Sequence, residues 1–518
     1  MPRSADVWGR AFVAALTAEQ SAGLDRRAHA RGVSESVLME NAGRSSALLL
    51  QSIHPEGRVV AAVGSGHNGG DALVLLRTLR AWGRDVAAHL VTGDAAADAQ
   101  DALTHGFEIP RLDLDGLERG AAGAGVLVDG ILGTGARGAP RAEAARVIGL
   151  LMGAGRPVVA LDLPSGVDAD TGAVPADAIR ADVTVCFGSP KRGLLFQPAR
   201  AHCGRLVSVE IGFPPLEPGD WDARLITPAW AAAALPRREP AAHKGSVGVV
   251  LVLAGARGMG GAAVLCARGA IRAGAGLVYV ASDDSNREAL HAAVPDAVFI
   301  DRDDEGALGS VAGRIDAIVA GPGMGTDEAA AAALARTLET VGAPTLLDAD
   351  ALTVLARRGE LADLAASRPL LMTPHAAEFA RVAGAELAEV RADPVAHARA
   401  FAARVGSTVL LKGLPSIVAE ADGMVRINTV GSSDLAAAGM GDLLAGVIGA
   451  MMAAGPDPAD AAALGLFYAS RAADLRALGR ALSPSDVAEA LPDAFEAPGL
   501  LEPPPGLPFV TFDQPGRW

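Results

Sequence analysis

The sequence lacks the segments that mark membrane-spanning and secreted proteins. Its 518 residues contain no unbroken apolar run of the roughly 18 to 20 residues that a transmembrane helix needs. The first residues carry no apolar segment of the kind found in signal peptides. Cysteine is scarce: Cys186, Cys203 and Cys266 are scattered without the spacing of metal ligands. We therefore expect reduced, structural cysteines in a cytoplasmic protein that does not bind a membrane.

Aromatic residues and clustered basic residues are also sparse. Aromatics make up 4% of the chain, the formal net charge is −15, and no run of basic residues occurs. Nucleic-acid-binding proteins usually present a basic patch or stripe, so we expect no nucleic-acid partner. A small polyanion could still bind through local backbone amides and single cations rather than through the overall charge of the protein.

Lysine is the rarest of the charged residues. It occurs only at Lys191, Lys244 and Lys412, each within a short glycine-bearing segment, whereas almost all other positive charge is arginine. A compact ammonium group on a flexible stem is not interchangeable with a planar guanidinium. Chance explains any single lysine well enough, but the three together indicate functional positions.

Strands and helices alternate in both halves of the chain. In the first half, apolar segments typical of buried strands occupy residues 59–63, 125–129, 157–162, 181–187 and 205–209. The first of them leads into a glycine loop at 64–71, and a helix is predicted over 72–82. The alternation restarts near residue 247, after the proline-rich stretch 214–220. The pattern predicts an α/β protein with two domains, residues 1–218 and 219–518, built on parallel sheets with helices on both faces. The proline-rich tail after about residue 491 is expected to be flexible.

Four polar side chains in the first half are placed where strands end. Asn68, Asp129, Asp162 and Ser165 all follow predicted strands, and parallel sheets bind ligands at the carboxyl ends of their strands. Their oxygens could jointly hold a cation, and an acid among them could move protons. The alternative is that they cap helices, as aspartate and serine often do. Their origin in three loops at one edge of the sheet favours a site.

A glycine-bearing motif in the second half, residues 438–446, leads into an apolar helix. The unpaired N–H groups and the dipole of a helix N-terminus favour an anion, and glycine lets the backbone approach it closely. Asp442 would repel a bound phosphate, but it fits as a base beside a phosphoryl group in transfer. The alternative is an ordinary helix-capping aspartate. Other chemistry-bearing residues at strand ends are the glycines of 321–325, the acids Asp348 and Asp350, His375 and Lys412.

With these motifs, the chain resembles the bifunctional NAD(P)H-hydrate repair enzymes over about residues 10–490. The first half is similar to NAD(P)H-hydrate epimerases at residues 39–43, 66–71, 128–129, 133–135, 162–166 and 191–194. The second half is similar to ADP-dependent (S)-NAD(P)H-hydrate dehydratases at residues 243–263, 321–325, 373–378, 412–413 and 439–442. The resemblance implies a Rossmann-like three-layer α/β/α domain, then a ribokinase-like α/β domain, in a homo-oligomer.

For the first half, the resemblance implies a potassium site and a substrate site. The K⁺ ligands would be Asn68, Asp129 and Ser165, and Asp162 would be the catalytic acid/base, in contact with the substrate. The remaining substrate contacts would be His67, Asn68, Gly69, Gly70, Asp71, Gly133, Thr134, Gly135, Ala136, Arg137, Gly138 and Ala139. Two residues depart from the family pattern: His67 replaces an asparagine and Ala72 replaces a glycine. His67 is expected to change the contact with the pyrophosphate or the pH dependence.

For the second half, the resemblance implies a substrate site beside a site for ADP with Mg²⁺. Asp442 would be catalytic and would contact the substrate together with Ala262, Gly321, Gly323, Gly325 and His375. The nucleotide would contact Lys412, Gly413, Leu414, Pro415, Ser416 and Gly441. The departures are Ala376, where the family favours proline and glycine after the histidine, and residues 432–434, where the family is glycine-rich. Neither departure removes a charged catalytic group.

The implied activity is repair of damaged nicotinamide cofactor. The first half would interconvert the R and S hydrates of NADH and NADPH, and the second would use ADP to dehydrate the S form to NAD(P)H, AMP and phosphate. One alternative is a ribokinase-like small-molecule kinase with a fused regulatory domain, which would leave a stable phosphorylated product. Another is that the first half is a nucleotide-sensing or scaffold module, but Asp129 and Asp162 at strand ends argue against it.

Overall fold

The computed structural model of the protein describes residues 12–91, 104, 106–241, 243, 245 and 247–496, and the backbone of 509–511. Lys244 lies outside the described residues. The chain divides into two compact units, one ending at Arg224 and the other beginning at Leu225; the strand at 509–511 belongs to the first. The domain boundary expected at 218/219 lies shortly before this division and stays a prediction. Among the described residues, no helix combines the length and apolar character needed to cross a membrane.

The first unit is a parallel sheet between two layers of helices. Its strands are Val59–Val63 (β1), Val86–Leu90 (β2), Val126–Gly130 (β3), Val158–Leu161 (β4), Val183–Phe187 (β5) and Arg205–Val209 (β6). Its helices are Ala18–Ala30 (α1), Glu35–Ile53 (α2), His67–Ala81 (α3), Leu114–Ala122 (α4), Ala142–Gly153 (α5) and Arg200–Cys203 (α6). The strand order is β6-β5-β4-β3-β1-β2, and the terminal strand Phe509–Thr511 pairs antiparallel with β6.

The order of the strands contains a switch point in the first unit. The chain goes from β1 to β2 on one side, whereas β3 pairs with β1 on the other side, so the order reverses between β1 and β3. Parallel α/β sheets bind ligands outside the carboxyl ends of the strands at such a switch point. All residues of β1 and β3 are buried, as expected for strands that helices cover on both faces.

The second unit contains a ten-stranded sheet. Its strands are Ala223–Leu225 (β7), Val249–Leu253 (β8), Leu277–Ser282 (β9), Val298–Asp301 (β10), Ala317–Ala320 (β11), Thr345–Leu347 (β12), Leu370–Met372 (β13), Thr408–Leu411 (β14), Ser416–Ala419 (β15) and Val425–Asn428 (β16). The order is β10-β9-β8-β11-β12-β13-β14-β15-β16-β7. Strands β8 to β14 are parallel, and the order reverses between β8 and β11. This reversal is a second switch point, at the ends of β8 and β11.

Helices cover this sheet and bury its apolar faces. They are Pro228–Ala234 (α7), Gly260–Arg272 (α8), Arg287–Ala293 (α9), Glu305–Val311 (α10), Glu328–Thr340 (α11), Ala349–Arg358 (α12), Leu361–Ser367 (α13), Ala376–Ala383 (α14), Leu387–Ala392 (α15), Pro394–Val405 (α16), Met440–Ala453 (α17), Pro458–Arg476 (α18) and Pro484–Glu496 (α19). Helix α17, the apolar segment behind the glycine motif, lies in the core with α8, α18 and α19. Burying this helix fixes the position of its N-terminus, where the motif lies.

The structure differs from the sequence-based expectations at three places. Helix α3 begins at His67 instead of after a glycine loop. The glycines belong to the first turn of the helix because the backbone packs closely there: a Cβ on Gly69 would lie 1.9 Å from the Gly64 carbonyl oxygen. Strands β15 and β16 form an antiparallel hairpin that was not predicted. Helix α19 continues to Glu496, beyond the expected start of the flexible tail, because Ala494 is still buried in the core.

Candidate active sites

Asp162 and Lys191 form a buried ion pair at the carboxyl edge of the first sheet. Asp162 follows β4 with φ of +62°, an uncommon backbone conformation for a residue other than glycine. The Lys191 ammonium donates a hydrogen bond of 2.5 Å to Asp162 Oδ1, and both residues are buried. Burial is the largest single influence and lowers the pKa of Lys191, but the charge of and the hydrogen bond to Asp162, together with Cys186 and Asp25, raise that pKa overall. The acid proposed from the sequence therefore has a permanent cation beside it.

The sequence contained only an indirect signal for Lys191. The scarcity of lysine and the motif at 191–194 marked the position, but neither indicated that Lys191 would contact Asp162. The two residues are 29 positions apart in the chain. Their contact depends on the parallel pairing of β4 and β5, so it was not predictable from local patterns.

The three residues proposed to bind potassium lie together in one cluster. Ser165 donates to both carboxylate oxygens of Asp129, through its hydroxyl at 2.6 Å and its backbone N–H at 2.8 Å. The Leu132 N–H donates to Ser165 Oγ at 2.9 Å, while Asn68 Nδ2 donates to the Leu132 carbonyl at 2.8 Å. Burial raises the pKa of Asp129 to about 6, although hydrogen bonds from Ser165 and Ile131 oppose the increase.

Asn68 has an unused acceptor in this cluster. Its amide nitrogen donates to two backbone carbonyls, but its buried Oδ1 accepts no hydrogen bond. A buried, unpaired carbonyl oxygen is costly unless it has a partner. An oxygen-rich site with a carboxylate, a hydroxyl and an amide oxygen suits a hard cation. These bonds do not cap helices, so the structure does not support the capping alternative for Asn68, Asp129 and Ser165.

The two loops expected to contact the first substrate meet at the switch point. Residues 67–71 form the first turn of α3, with Asn68, Gly69, Gly70 and Asp71 buried and His67 exposed. A Cβ on Gly133 would lie 3.3 Å from Asn68 Cβ and 3.8 Å from Asp162 Oδ2. The start of the 133–139 loop is therefore next to the acid, as the predicted contacts require.

The outer residues of these loops have other contacts. His67 Nε2 lies 2.9 Å from Glu35 Oε1, an ion pair that forms when the imidazole is protonated. Arg137 bonds to Asp170 and to the carbonyls of Thr134 and Ala136. Gly135, Gly138 and Ala139 are exposed, whereas Thr134 and Ala136 are half-buried. Burial, and then the charges of Asp162 and Asp25, raise the pKa of Asp71 well above its usual value.

Asp442 lies in the first turn of α17 and does not cap it. The N-cap is Gly439, whose φ is +82°, and no side chain there forms a capping bond. The structure thus contradicts the alternative of a capping aspartate. Burial is the largest influence on Asp442; together with the charge of Asp348 it raises the pKa of this carboxyl to about 6, against the opposing effect of Lys412. A carboxylate with such a pKa is a suitable proton acceptor near neutral pH.

Lys412 lies close to the start of α17. Its Nζ donates to Asp348 Oδ1 at 2.7 Å, and Asp348 also accepts a bond of 2.9 Å from the Thr373 hydroxyl. A Cβ on Gly441 would lie only 3.3 Å from Lys412 Nζ. The ammonium and the helix N-terminus thus form one positive region at the place where a phosphate was expected. The sequence showed Asp348 as an acid after a strand, but it gave no indication of this contact.

The glycine loops after β8 and β11 are joined by backbone hydrogen bonds. Gly255 donates to the Pro322 carbonyl at 3.0 Å, and Ala256 donates to the Gly323 carbonyl at 2.6 Å. Gly321 has φ of +126°, and a Cβ on it would lie 1.8 Å from the Asp348 carbonyl oxygen. A Cβ on Gly323 would lie 3.0 Å from Ala262 Cβ. The structure therefore brings together three predicted substrate positions: Ala262, Gly321 and Gly323.

His375 has a structural role at the start of α14. The ring Nδ1 of His375 accepts bonds from the backbone N–H groups of Ala377 at 3.2 Å and Glu378 at 3.4 Å. The backbone N–H of His375 donates to Glu378 Oε2. This capping box assigns the ring proton of the neutral form to Nε2. The ring is exposed, so Nε2–H can still donate to a ligand.

The remaining nucleotide positions form the turn between β14 and β15. Gly413 N–H donates to Ser416 Oγ at 3.1 Å, and that hydroxyl donates to the Gly413 carbonyl at 2.8 Å. Gly413 is exposed, Leu414 and Ser416 are half-buried, and Pro415 is buried. The Lys412 N–H donates to the Pro374 carbonyl at 2.9 Å, which places this turn next to His375. Within the described residues, no group of three or more histidine, cysteine or acidic side chains is placed to hold a metal.

Known families and proteins match both units. Residues 35–193 match the family described as "YjeF-related protein N-terminus", and residues 250–493 match the family described as "NAD(P)H-hydrate dehydratase". The bifunctional NAD(P)H-hydrate repair enzyme Nnr of Moorella thermoacetica is 35% identical over 510 residues, covering 92% of this chain and 96% of that protein. The enzyme of the same name from Mycobacterium tuberculosis is 40% identical over 411 residues, 78% of this chain and 80% of that protein.

Among solved structures, a ribokinase-like superfamily protein of Enterococcus faecalis resembles this chain. It is 25% identical, with a TM-score of 0.50, and the match covers 56% of this chain and 100% of that one. This likeness confirms the expected ribokinase-like fold, and the first unit's parallel sheet between helices confirms the expected α/β class.

Proposed function

Because the chain belongs to the family of bifunctional NAD(P)H-hydrate repair enzymes, we propose that it repairs hydrated NADH and NADPH at two separate sites. The first unit epimerises the R and S hydrates, and the second dehydrates the S form with ADP. The observation that carries the proposal is the placement of an acid near a lysine at the carboxyl edge of each sheet. In the first unit Lys191 bonds to Asp162. In the second unit Lys412 bonds to Asp348, and its charge acts on Asp442 near the start of α17.

In the second unit, the reaction converts a poor leaving group into a good one. Asp442 accepts the proton of the substrate hydroxyl. The hydroxyl oxygen forms a bond to the β-phosphorus of ADP, and the bond between that phosphorus and the oxygen of AMP breaks. The N–H groups at the start of α17 and the ammonium of Lys412 stabilise charge on the transferred phosphoryl group. Phosphate then leaves with the carbon–oxygen electron pair, and loss of a proton from the neighbouring carbon restores NAD(P)H. Mg²⁺, when bound with ADP, neutralises phosphate charge.

In the first unit, Asp162 transfers the proton that allows the hydrated ring carbon to invert. Lys191 holds this carboxylate in place through the hydrogen bond to its Oδ1. Asn68, Asp129 and Ser165 would hold K⁺, which would supply a fixed positive charge near the substrate phosphates. The unpaired Oδ1 of Asn68 supports this assignment. The exposed residues of the 67–71 and 133–139 loops would bind the rest of the dinucleotide.

We also propose, from the family alone, that the protein is a cytoplasmic homo-oligomer and uses ADP in preference to ATP. The kinase alternative predicts a stable phosphorylated product. The scaffold alternative predicts that the first unit has no activity, and the buried Lys191–Asp162 pair argues against it.

Recovery of NADH absorbance from a mixture of hydrate epimers tests the proposed function. With ADP, we expect complete recovery, since the first unit converts the R epimer into the substrate of the second. Recovery that stops with one epimer left would contradict the proposed activity of the first unit. No recovery with ADP or ATP, together with a stable phosphorylated product, would favour the kinase alternative.

A further inference from the structure

Two acids that follow β12 contact different parts of the second-unit site. Asp348 accepts the hydrogen bond from Lys412, on the side where the nucleotide is proposed to bind. Asp350 Oδ2 accepts a bond of 2.9 Å from the N–H of Gly325, at the end of the 321–325 loop on the substrate side. Only Ala349 separates the two acids. A single short segment therefore contacts both proposed ligand-binding regions.

We propose that Asp348 and Asp350 are positioning residues with separate tasks: Asp348 holds the Lys412 ammonium at the nucleotide, and Asp350 holds the 321–325 loop at the substrate. The proposal rests on the proposed function of this unit and adds two residues to it. Neither acid needs to touch a ligand to act, because each works through a group that does.

The surroundings of Asp348 suit it to anchor a lysine. A lysine ammonium sits on a flexible four-carbon stem, so its position depends on its partners. Asp348 is only 2% exposed, and a buried carboxylate needs a charged partner and further hydrogen bonds. The Thr373 hydroxyl donates to the oxygen that also accepts from Lys412, which fixes the orientation of the carboxylate. Gly441 leaves room for the ammonium near the helix N-terminus.

Backbone bonds to the loop after β8 and a bond from Arg302 to the Met324 carbonyl hold the 321–325 loop, and Asp350 adds a side-chain anchor at its end. Gly321, Gly323 and Gly325 all have positive φ angles, of 126°, 54° and 89°, and glycine offers no side chain to hold such a loop. The bond from Asp350 to the Gly325 N–H supplies an anchor at its end.

The backbone between the two acids is strained. Ala349 has φ of +43°, a conformation that costs a non-glycine residue free energy and persists only where the surroundings impose it. The anchored carboxylates on either side of Ala349 account for that constraint. The segment is thus set by contacts with both ligand-binding regions and not by its own conformational preference.

Matched variants of the full-length protein separate the two tasks. Asp348→Asn should raise the KM and the calorimetric Kd for ADP about tenfold, the effect of losing one charge-assisted bond, with the KM for the S hydrate changed less than about twofold. Asp350→Asn should raise the KM for the S hydrate about tenfold and change the KM and Kd for ADP less than about twofold. Asp316→Asn is the control, because Asp316 bonds to Val249 at the opposite, amino end of the strands; it should change neither constant.

The pH profile of dehydration provides a readout that a merely structural role would not change. Burial raises the pKa of Asp442 most; the charges of Asp348 and Asp350 raise it further, and Lys412 lowers it. Asp348→Asn should therefore move the acidic limb to lower pH, since it removes a negative charge and frees the lysine from its partner. Asp350→Asn should cause a smaller shift in the same direction. Thermal unfolding checks that each variant is folded.

Specific results would overturn the proposal. If Asp348→Asn leaves both the ADP affinity and the acidic limb unchanged, Asp348 does not position Lys412. If Asp350→Asn weakens ADP binding as strongly as Asp348→Asn does, the two acids do not have separate tasks. If Asp348→Asn does not fold, Thr373→Val removes the second bond to Asp348, along with a longer bond of 3.3 Å to the Leu347 carbonyl. This variant should raise the Kd for ADP about threefold, and an unchanged Kd would contradict the proposal. If the unmodified protein produces no NADH, the proposed function fails, while ADP calorimetry still decides whether Asp348 positions Lys412.

Discussion

Lys191 donates a 2.5 Å hydrogen bond to Asp162 in the interior of the first unit. A fully buried lysine is stable only with a charged partner, and Asp162 is that partner. The pair holds the carboxylate that we propose to be the proton-transfer group of epimerisation. Stability and catalysis therefore depend on the same contact, and the two effects can be separated by mutation.

Removing one member of this pair should cost more stability than removing both. Lys191→Met or Asp162→Asn leaves the other charge buried alone, and we expect each to lower the free energy of unfolding by about 3–5 kcal/mol. The double variant has no uncompensated charge and should recover most of that loss. Epimerisation should be absent from all three variants. Urea unfolding measures stability; single losses that simply add in the double variant would contradict the buried pair.

Dehydration should decline in acid solution. The pKa of Asp442 is raised to about 6, and the base must be ionised to accept the hydroxyl proton. The rate should be constant above this pH and should fall, in proportion to the ionised fraction, as the pH drops below it. The measurement is kcat for NADH formation from the S hydrate at saturating ADP, over a range from about pH 5 to about pH 8 that brackets the expected pKa. If the rate instead fell only near the ordinary aspartate pKa of about 4, burial would not raise the pKa of Asp442.

Replacing potassium should affect only epimerisation. We expect exchange of K⁺ for a bulky organic cation to slow the interconversion of the two hydrates, because Asn68, Asp129 and Ser165 would lose their shared ligand. Dehydration of the S hydrate in the same sample is the internal control. Asn68→Leu removes the unpaired oxygen and should eliminate any dependence on potassium. Equal sensitivity of both reactions would contradict a site confined to the first unit.

The end of α18 offers a stability test remote from both sites. Ala477 terminates the helix with φ of 50° and ψ of 35°, a left-handed conformation that favours glycine. Ala477→Gly should raise the free energy of unfolding by about 1 kcal/mol. The matched control is Ala454→Gly at the end of α17, where φ is −81°; this change should be destabilising because glycine only adds flexibility to the unfolded chain. Equal effects on the two melting temperatures would contradict the assigned backbone conformations.

The sequence predicted the parts of the sites that depend on local pattern. Buried parallel strands such as β1 and β3 are continuous apolar runs, so their ends, with Asn68 and Asp129, could be located. The contacts between distant segments could not be predicted. Lys412 and Asp348 are 64 positions apart, and they meet only because β12, β13 and β14 pair side by side.

Two errors had local physical causes. The glycines of 66–70 were interpreted as a loop, since glycine usually interrupts helices; instead they allow close backbone packing in the first turn of α3. The hairpin of β15 and β16 escaped notice because its strands are only four residues each. The turn signal at Asp422 and Gly423 between these strands would have indicated it.

The central claim is that the two units carry out separate chemistry at separate acids. The most direct test is Asp442→Asn in the full-length protein, incubated with ADP and unequal amounts of the two NADH hydrates, with chromatographic measurement of both epimers and of NADH. We predict that no NADH forms while the epimer ratio still relaxes to the equilibrium value reached by the unmodified protein. Loss of both processes, or NADH formation at the unmodified rate, would contradict the claim.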